Sequence, residues 1–271
     1  MSRLELIQLC KTIHHLDLFS GIGGFALGLQ MADKDFYQTI SFCEMNAYCA
    51  EVLEKNFSGI PICRDIRELK TKGMQVDLIT AGFPCQDLSI AGKKAGLKGE
   101  RSGLFYETIK IAKDTNAKFI IFENSPQLIT NEEYQESFIK EIQEAGYGLC
   151  WRMCSGREFG YPHQRKRVYA LCFNASTYSD SFGFFLLEAF HHFYTIESPF
   201  KASKEIISLY CEYMRRNKQG DFTLHCRDIR GDNGLSQRLE QIHALGNSVI
   251  PQIIKIWGLA LKQSYLKWES E

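Results

Sequence analysis

Four groups of side chains in this sequence are of types, and at spacings, that could do chemistry. Cys85 lies in GFPCQDLSIAGKKAGLKGERSG (82–103), between a proline and a long run rich in glycine and lysine. A thiol attacks carbon as its thiolate, so a reactive cysteine must be reachable and assisted. The flexible basic run supplies reach and suits a large anionic substrate. Glu123, in KFIIFEN (118–124), could act as a general acid if burial raises its pKa. Arg165 and Arg167, in QRKRVY (164–169), stand two apart before an apolar run. In extended chain they face one side, where they could clamp a phosphate or a polarised carbonyl. DLFSGIGGFALGL (17–29) packs Gly21, Gly23 and Gly24 into a turn that opens a helix, letting backbone N–H groups approach a ligand closely. Each has a bland counterpart: a core thiol, a capped carboxylate, surface charge, a tight turn.

The elements around them argue for convergence. HHLDLF (14–19), TISFCEM (39–45), VDLITAG (76–82) and KFIIFEN (118–124) are apolar runs that read as buried strands. Helical patterns at 25–32, 46–57, 104–114 and 132–146 lie between or after them. Strands alternating with helices imply a doubly wound α/β fold with a mostly parallel sheet. GLCWRMCSG (148–156) and RVYALCFN (167–174) read as an antiparallel pair at the sheet edge. In such a sheet ligands gather at the carboxyl ends of the strands, where Asp17, Glu44, Cys85 and Glu123 all fall. Gly21, Gly23 and Ala26 also satisfy the G-x-G-x-x-A nucleotide fingerprint, with Glu44 placed to accept hydrogen bonds from ribose hydroxyls. On these residues alone, NAD and S-adenosylmethionine are both open.

Composition sets the outer bounds. A chain of 271 residues, 45% hydrophobic, can build one large core with a smaller appended unit. No apolar stretch is long enough to span a bilayer, and the first fifteen residues lack a signal-peptide core, so a cytoplasmic protein with no membrane partner is expected. The ten cysteines include no C-x-x-C pair, so no metal site is expected and most thiols should be core hydrophobes. Net charge is zero, yet Lys93, Lys94, Lys98 and Arg101 cluster in one loop and five cations fall within 152–167. Local positive surface can meet nucleic-acid phosphates while acids elsewhere cancel the total.

Taken in order, DLFSGIGG, GFPCQDLS, FENS, QRKRVY and LGNSVIPQ resemble the cytosine-C5 DNA methyltransferase family, and they span residues 17–252. The resemblance implies the S-adenosylmethionine-dependent methyltransferase fold and double-stranded DNA as substrate. It implies that the Cys85 thiolate attacks C6 of a cytosine flipped from the duplex, making C5 able to accept a methyl group. Glu123 would protonate or hydrogen-bond N3, Arg165 would hold the O2 edge, and Arg167 would support the site. Around the cofactor it implies Phe19 facing the adenine, Gly21, Gly23 and Gly24 beside the amino-acid end, and Glu44 on the ribose. Met45 would cover the adenine face, Asp65 would hold its amine, and Ile66 and Leu104 would complete the wall. Asn247 and Ser248 would close the pocket. Gln86, Ser89, Lys93, Lys94, Lys98 and Arg101 would lie along the DNA. A cognate restriction endonuclease, acting separately, is the companion such an enzyme implies.

Three segments are expected: a catalytic and cofactor-binding domain at 1–174, a small target-recognition domain at 175–244, and a closing motif with a returning helix at 245–271. Arg227 and Arg230 are the candidates for base-edge contacts, since arginine pairs bidentately with guanine. Three departures stand out. FENS replaces the usual Glu-Asn-Val, the arginine-bearing block before the last motif is replaced by CRDIRGDNGLSQRL (226–239), and the recognition segment is short. The rivals are a tRNA cytosine-C5 methyltransferase, whose Cys-Phe-Thr motif is absent from 174–244, and a non-catalytic DNA-binding homologue, which would have no need of Cys85, Glu123 and Arg165 together. An NAD oxidoreductase accounts for the glycine turn but not for PCQ or QRKRVY.

Overall fold

The computed structural model describes residues 11–83, 103–159, 161, 165–196, 244 and 248–270. Seven strands form one sheet: β1 (Ile13–Leu18), β2 (Tyr37–Cys43), β3 (Ile62–Cys63), β4 (Leu78–Ala81), β5 (Phe119–Asn124), β6 (Tyr147–Ser155) and β7 (Lys166–Asn174). Their order is β3-β2-β1-β4-β5-β7-β6. The first five are parallel, and β7 runs antiparallel between β5 and β6. The order reverses between β1 and β4, which makes the crevice above those two strands the natural ligand site. The four expected parallel strands and the antiparallel pair are all present, with β3 added as a two-residue edge.

Both faces of the sheet are covered. β5 shows why: all six of its residues are buried. Phe119 and Ile121 enter one core and Ile120 and Phe122 the other, as the two-residue strand period requires. On one face lie helices α3 (Leu104–Thr115), α4 (Gln127–Thr130) and α5 (Glu132–Glu144), seated through Phe105, Leu128, Phe138 and Ile142. On the other lie α1 (Gly24–Asp33), α6 (Asp180–Ile196) and α7 (Pro251–Ser270). Helix α2 (Ala47–Asn56), capped by the Asn46 side chain, covers the β2 end.

The closing helix α7 approaches α1 through missing side chains. A Cβ on Gly28 would sit 2.5 Å from the Pro251 carbonyl oxygen and 2.5 Å from the Ile254 Cβ, and one on Gly24 would sit 2.7 Å from the Val249 carbonyl oxygen. These glycines let the last block of the chain lie directly against the glycine turn.

Helix α6 falls inside the stretch expected to be a separate recognition domain, 175–244. Its Phe182, Leu186 and Phe190 are fully buried, at helical spacing, in one core with Phe119, Phe173, Tyr178 and Trp257. Phe182 stacks on Phe119 at 5.6 Å, and Phe190 lies 4.4 Å from Trp257 between ring centroids. Helix α6 therefore packs into the core that the sheet and α7 form. Among the described residues, no helix is long and apolar enough to cross a membrane.

Candidate active site

The glycine turn after β1 is held by backbone conformation. Phe19, Gly21 and Gly23 all have positive φ, at 55°, 55° and 88°. For Phe19 this is an unfavourable region that the surroundings must enforce. Ser20 does much of that work. Its Oγ donates to the Asp17 carbonyl at 2.7 Å and accepts from the Cys43 N–H at 3.2 Å, while its own N–H donates to the Cys43 carbonyl at 3.1 Å. The turn is thereby stitched to the end of β2.

Glu44, the next residue, accepts from the Gly21 N–H at 2.7 Å through Oε2 and from the Asn46 N–H at 2.8 Å through Oε1. Each oxygen keeps a further lone pair for a donor such as a hydroxyl. Met45 beside it is 73% exposed, an unusual position for a methionine. Asp65 caps the 3-10 turn Ile66–Glu68 by accepting from the Arg67 N–H, and its carboxylate is paired with the Arg67 guanidinium at 2.7 Å. Ile66 is buried, and Leu104, at the start of α3, is partly so. Ser248 lies just before α7, one residue from the Val249 that packs on Gly24.

Beneath the turn runs a buried polar chain that the sequence reading did not find. Asp17 Oδ1 accepts from the Thr80 hydroxyl at 2.7 Å. Thr80 Oγ1 meets His15 Nε2 at 2.7 Å, and His15 Nδ1 meets Thr39 Oγ1 at 2.9 Å. With Thr80 donating to Asp17, its oxygen is left to accept from His15, which puts the ring proton on Nε2. Burial holds His15 neutral, its pKa lowered to about 3. Burial likewise raises Asp17 far above the usual carboxylate range, against the opposing Thr80 hydrogen bond. Its Oδ2 is buried without a partner among the described residues. The signal was present, since threonine and histidine alternate on the same face of adjacent strands, but each looks ordinary alone.

The other half of the site is built from charge. Glu123, at the end of β5, is 7% exposed, and its Oε1 lies 3.0 Å from Arg167 Nε and 4.0 Å from Arg165 Nη2. Burial raises its pKa, and the two guanidinium charges oppose that rise. Arg165 also donates through Nη1 to the Ser248 carbonyl at 2.8 Å, so it bridges the carboxylate and the closing segment. A Cβ on Gly82 would sit 3.5 Å from Glu123 Oε2, which places the carboxylate beside the end of β4. Asn124 Nδ2 donates to the Phe83 carbonyl at 3.2 Å. This unforeseen contact anchors the chain two residues before Cys85.

The structure thus brings together Phe19, Gly21, Gly23, Gly24 and Glu44 on one side, and Glu123, Arg165, Arg167 and Ser248 on the other. Cys85, Gln86, Ser89, Lys93, Lys94, Lys98, Arg101, Arg227, Arg230 and Asn247 lie outside the described residues. The residues present fit an adenosine-bearing cofactor. Among the described residues, no atom stands within 4 Å of where a Gly21 Cβ would be. Carboxylate acceptors, an exposed thioether and the unpartnered Asp17 oxygen surround that turn.

The model of the C-5 cytosine-specific DNA methylase family matches residues 13–232. Type II methyltransferase M2.BsuMI of Bacillus subtilis (strain 168) is 40% identical over 171 residues, 61% of this chain and 42% of that protein. Type II methyltransferase M.FnuDI of Fusobacterium nucleatum is 35% identical over 172 residues, 62% of this chain and 49% of that protein. The chain spans less than half the length of these relatives. Among solved structures, the S. pombe Dnmt2 methyltransferase superposes with a TM-score of 0.50 at 24% identity, over 59% of this chain and 50% of that one. A putative DNA modification methyltransferase encoded within an E. coli prophage gives 0.51 at 21% identity, over 61% and 47%. At those identities the likeness speaks for the fold, which is the one expected of methyltransferases.

Proposed function

The chain belongs to the C-5 cytosine-specific DNA methylase family, and from that premise we propose that it transfers a methyl group from S-adenosylmethionine to C5 of a cytosine in a specific double-stranded DNA sequence. The observation that carries this reading is Glu123. It is a buried carboxyl with a raised pKa, held between Arg165 and Arg167 at a strand end and next to the segment that leads into Cys85.

In this reading the Cys85 thiolate adds to C6 of a cytosine that has left the stack. A new C–S bond forms as the ring's C5–C6 π electrons shift toward C5. Glu123 gives its proton to N3, or shares it, so that negative charge does not build on the ring. A carboxyl whose pKa burial raises suits that task. Arg165 holds the O2 edge, and Arg167, closest to Glu123, orients the carboxyl. When bound, S-adenosylmethionine supplies the electrophilic methyl group. Phe19, the glycine turn, Glu44, Met45, Asp65, Ile66, Leu104, Asn247 and Ser248 would hold it. A base then removes the C5 proton, the C5–H electron pair re-forms the C5–C6 double bond, the C–S pair leaves with sulfur as the free thiolate, and N3 returns its proton to Glu123.

Lys93, Lys94, Lys98 and Arg101, with Gln86 and Ser89, would follow the phosphate backbone, and Arg227 and Arg230 would read bases. Because α6 is committed to the core, recognition falls to the part of 175–244 beyond it. The relatives are named Type II methyltransferases, which supports a separate cognate restriction endonuclease as companion. The test is expression in a host free of cytosine methylation, followed by base-resolved mapping of its DNA and tRNA. The account expects 5-methylcytosine in DNA at one short sequence. Methylation confined to tRNA, or none from a folded protein that binds the cofactor, would overturn it.

A further inference from the structure

The sheet edge beneath the glycine turn holds two thiols that methyl transfer does not use. Cys43 ends β2 and Cys63 ends β3, and they are register partners in the parallel pair. Their side chains leave the sheet on one face, and neighbouring strands run about 4.8 Å apart, inside the Cα range a disulfide spans. Cys63 Sγ donates to the Asp65 carbonyl at 3.1 Å. Cys43 is 3% exposed, whereas Cys63 is partly open to solvent. Such a pair combines a sulfur an oxidant can reach with a resolving sulfur behind it. The other described thiols do not: Cys49, Cys150, Cys154 and Cys172 are all buried, and Cys150 and Cys172 face opposite cores.

We propose that Cys43 and Cys63 are a modification site, joined by a reversible disulfide when the protein meets a hydroperoxide, and that this bond weakens S-adenosylmethionine binding. The second half rests on the functional reading above; the first does not. The chemistry balances in two steps. Cys63–SH and ROOH give Cys63–SOH and ROH, the sulfur being oxidised and the peroxide reduced. Cys43–SH then displaces hydroxide from that sulfur, forming the S–S bond and releasing water. A dithiol reductant reverses the outcome.

The coupling to the cofactor site is structural. Glu44 follows Cys43, and its N–H donates to the Cys63 carbonyl at 2.9 Å. The Cys43 backbone is bound on its other side to Ser20 of the glycine turn. Asp65 and Ile66 follow Cys63 within three residues. A disulfide brings its Cβ atoms to roughly 3.8 Å, closer than facing positions on parallel strands, and removes the Cys63 hydrogen bond to Asp65. Among the described residues β3 is a two-residue strand at the sheet edge, so it is the part that moves.

The full chain, reduced and then treated with hydrogen peroxide, should lose two hydrogens in its intact mass. Peptide mapping should join the segments that carry Cys43 and Cys63. Calorimetry with S-adenosylmethionine should show affinity reduced about tenfold in the oxidised form, ~1.4 kcal/mol, and restored by dithiothreitol. Cys63→Ser should fold, bind the cofactor and keep its affinity after peroxide; Cys63→Ala serves as a second variant if the hydroxyl disturbs the edge. Failure to find the Cys43–Cys63 peptide overturns the site, and a cross-linked protein that binds the cofactor undiminished overturns the coupling. A reduced protein that binds no cofactor at all contradicts the functional reading instead, and the peptide map still decides the thiol pair.

Discussion

The two halves of the sheet's carboxyl edge are built on different principles. Above β1 and β2 the site is made of backbone: three residues at positive φ, N–H groups turned toward Glu44, and helices brought together through Gly24 and Gly28. Above β5 and β7 it is made of charge: one buried carboxyl and two guanidinium groups whose side chains remain partly exposed. The first arrangement suits holding a molecule, because shape and N–H direction persist whatever the pH. The second suits moving a proton, because desolvation and charge oppose one another at Glu123 and leave its protonation open to small changes nearby.

The sharpest way to break the comparison is at Glu123. Glu123→Gln should lower the single-turnover rate of methyl transfer by about 10²–10⁴-fold, while leaving cofactor affinity within a few fold. Since the raised pKa keeps the wild-type acid protonated to higher pH, its contribution fades as pH rises through that value. The glutamine variant should lack this limb in a pH–rate profile. A variant turning over within a few fold of wild type would remove Glu123 from the proton path.

The backbone-built half should fail differently, through the fold. In Gly28→Val the new side chain meets the Pro251 carbonyl and Ile254, so α7 must shift from α1 at a cost of about 3 kcal/mol. Urea unfolding should show that loss, together with weaker cofactor binding. Unchanged stability would mean that the two helices do not depend on this close approach.

The smallest effect sharpens the role of the polar chain beneath the turn. His15 stays neutral in the fold down to about pH 3, whereas the unfolded chain protonates it near its ordinary value of 6.5. The unfolded state therefore binds more protons in that window, and stability falls as pH drops through it, by ~1.4 kcal/mol per pH unit. His15→Gln should be less stable than wild type at neutral pH and lose that increment of acid sensitivity. Unfolding measured at pH 7.5 and 5.5 decides it; an unchanged difference between the two pH values would show that His15 is not held neutral.

Much of this was legible in the sequence where one residue carries its own signal. Apolar runs alternating with helical patterns located the strands, and Glu123, Arg165 and Arg167 stood out because charge beside a buried strand needs a reason. What was not legible depends on partners distant in sequence. His15, Thr39 and Thr80 form a chain only once three strands are laid side by side. Asn124 was visible in FEN, but its hold on Phe83 requires β4 and β5 to be paired. The aromatic run 182–194 breaks the alternating α/β pattern, which is why it falls in the segment expected to be a recognition domain. Its burial follows from helical spacing, with Phe182, Leu186 and Phe190 on one face against Phe119 and Trp257.

The central claim is that Cys85, two residues beyond the Phe83 that Asn124 holds, bonds covalently to a cytosine during methyl transfer. It is tested most directly with DNA carrying 5-fluorocytosine at the methylated position, incubated with the protein and S-adenosylmethionine. Fluorine cannot leave as the C5 proton does, so the thiolate is not released. The account predicts a denaturation-resistant protein–DNA complex whose cross-linked peptide contains Cys85, and none from Cys85→Ser. A protein that methylates cytosine but forms no such complex, or one joined through another residue, would contradict it.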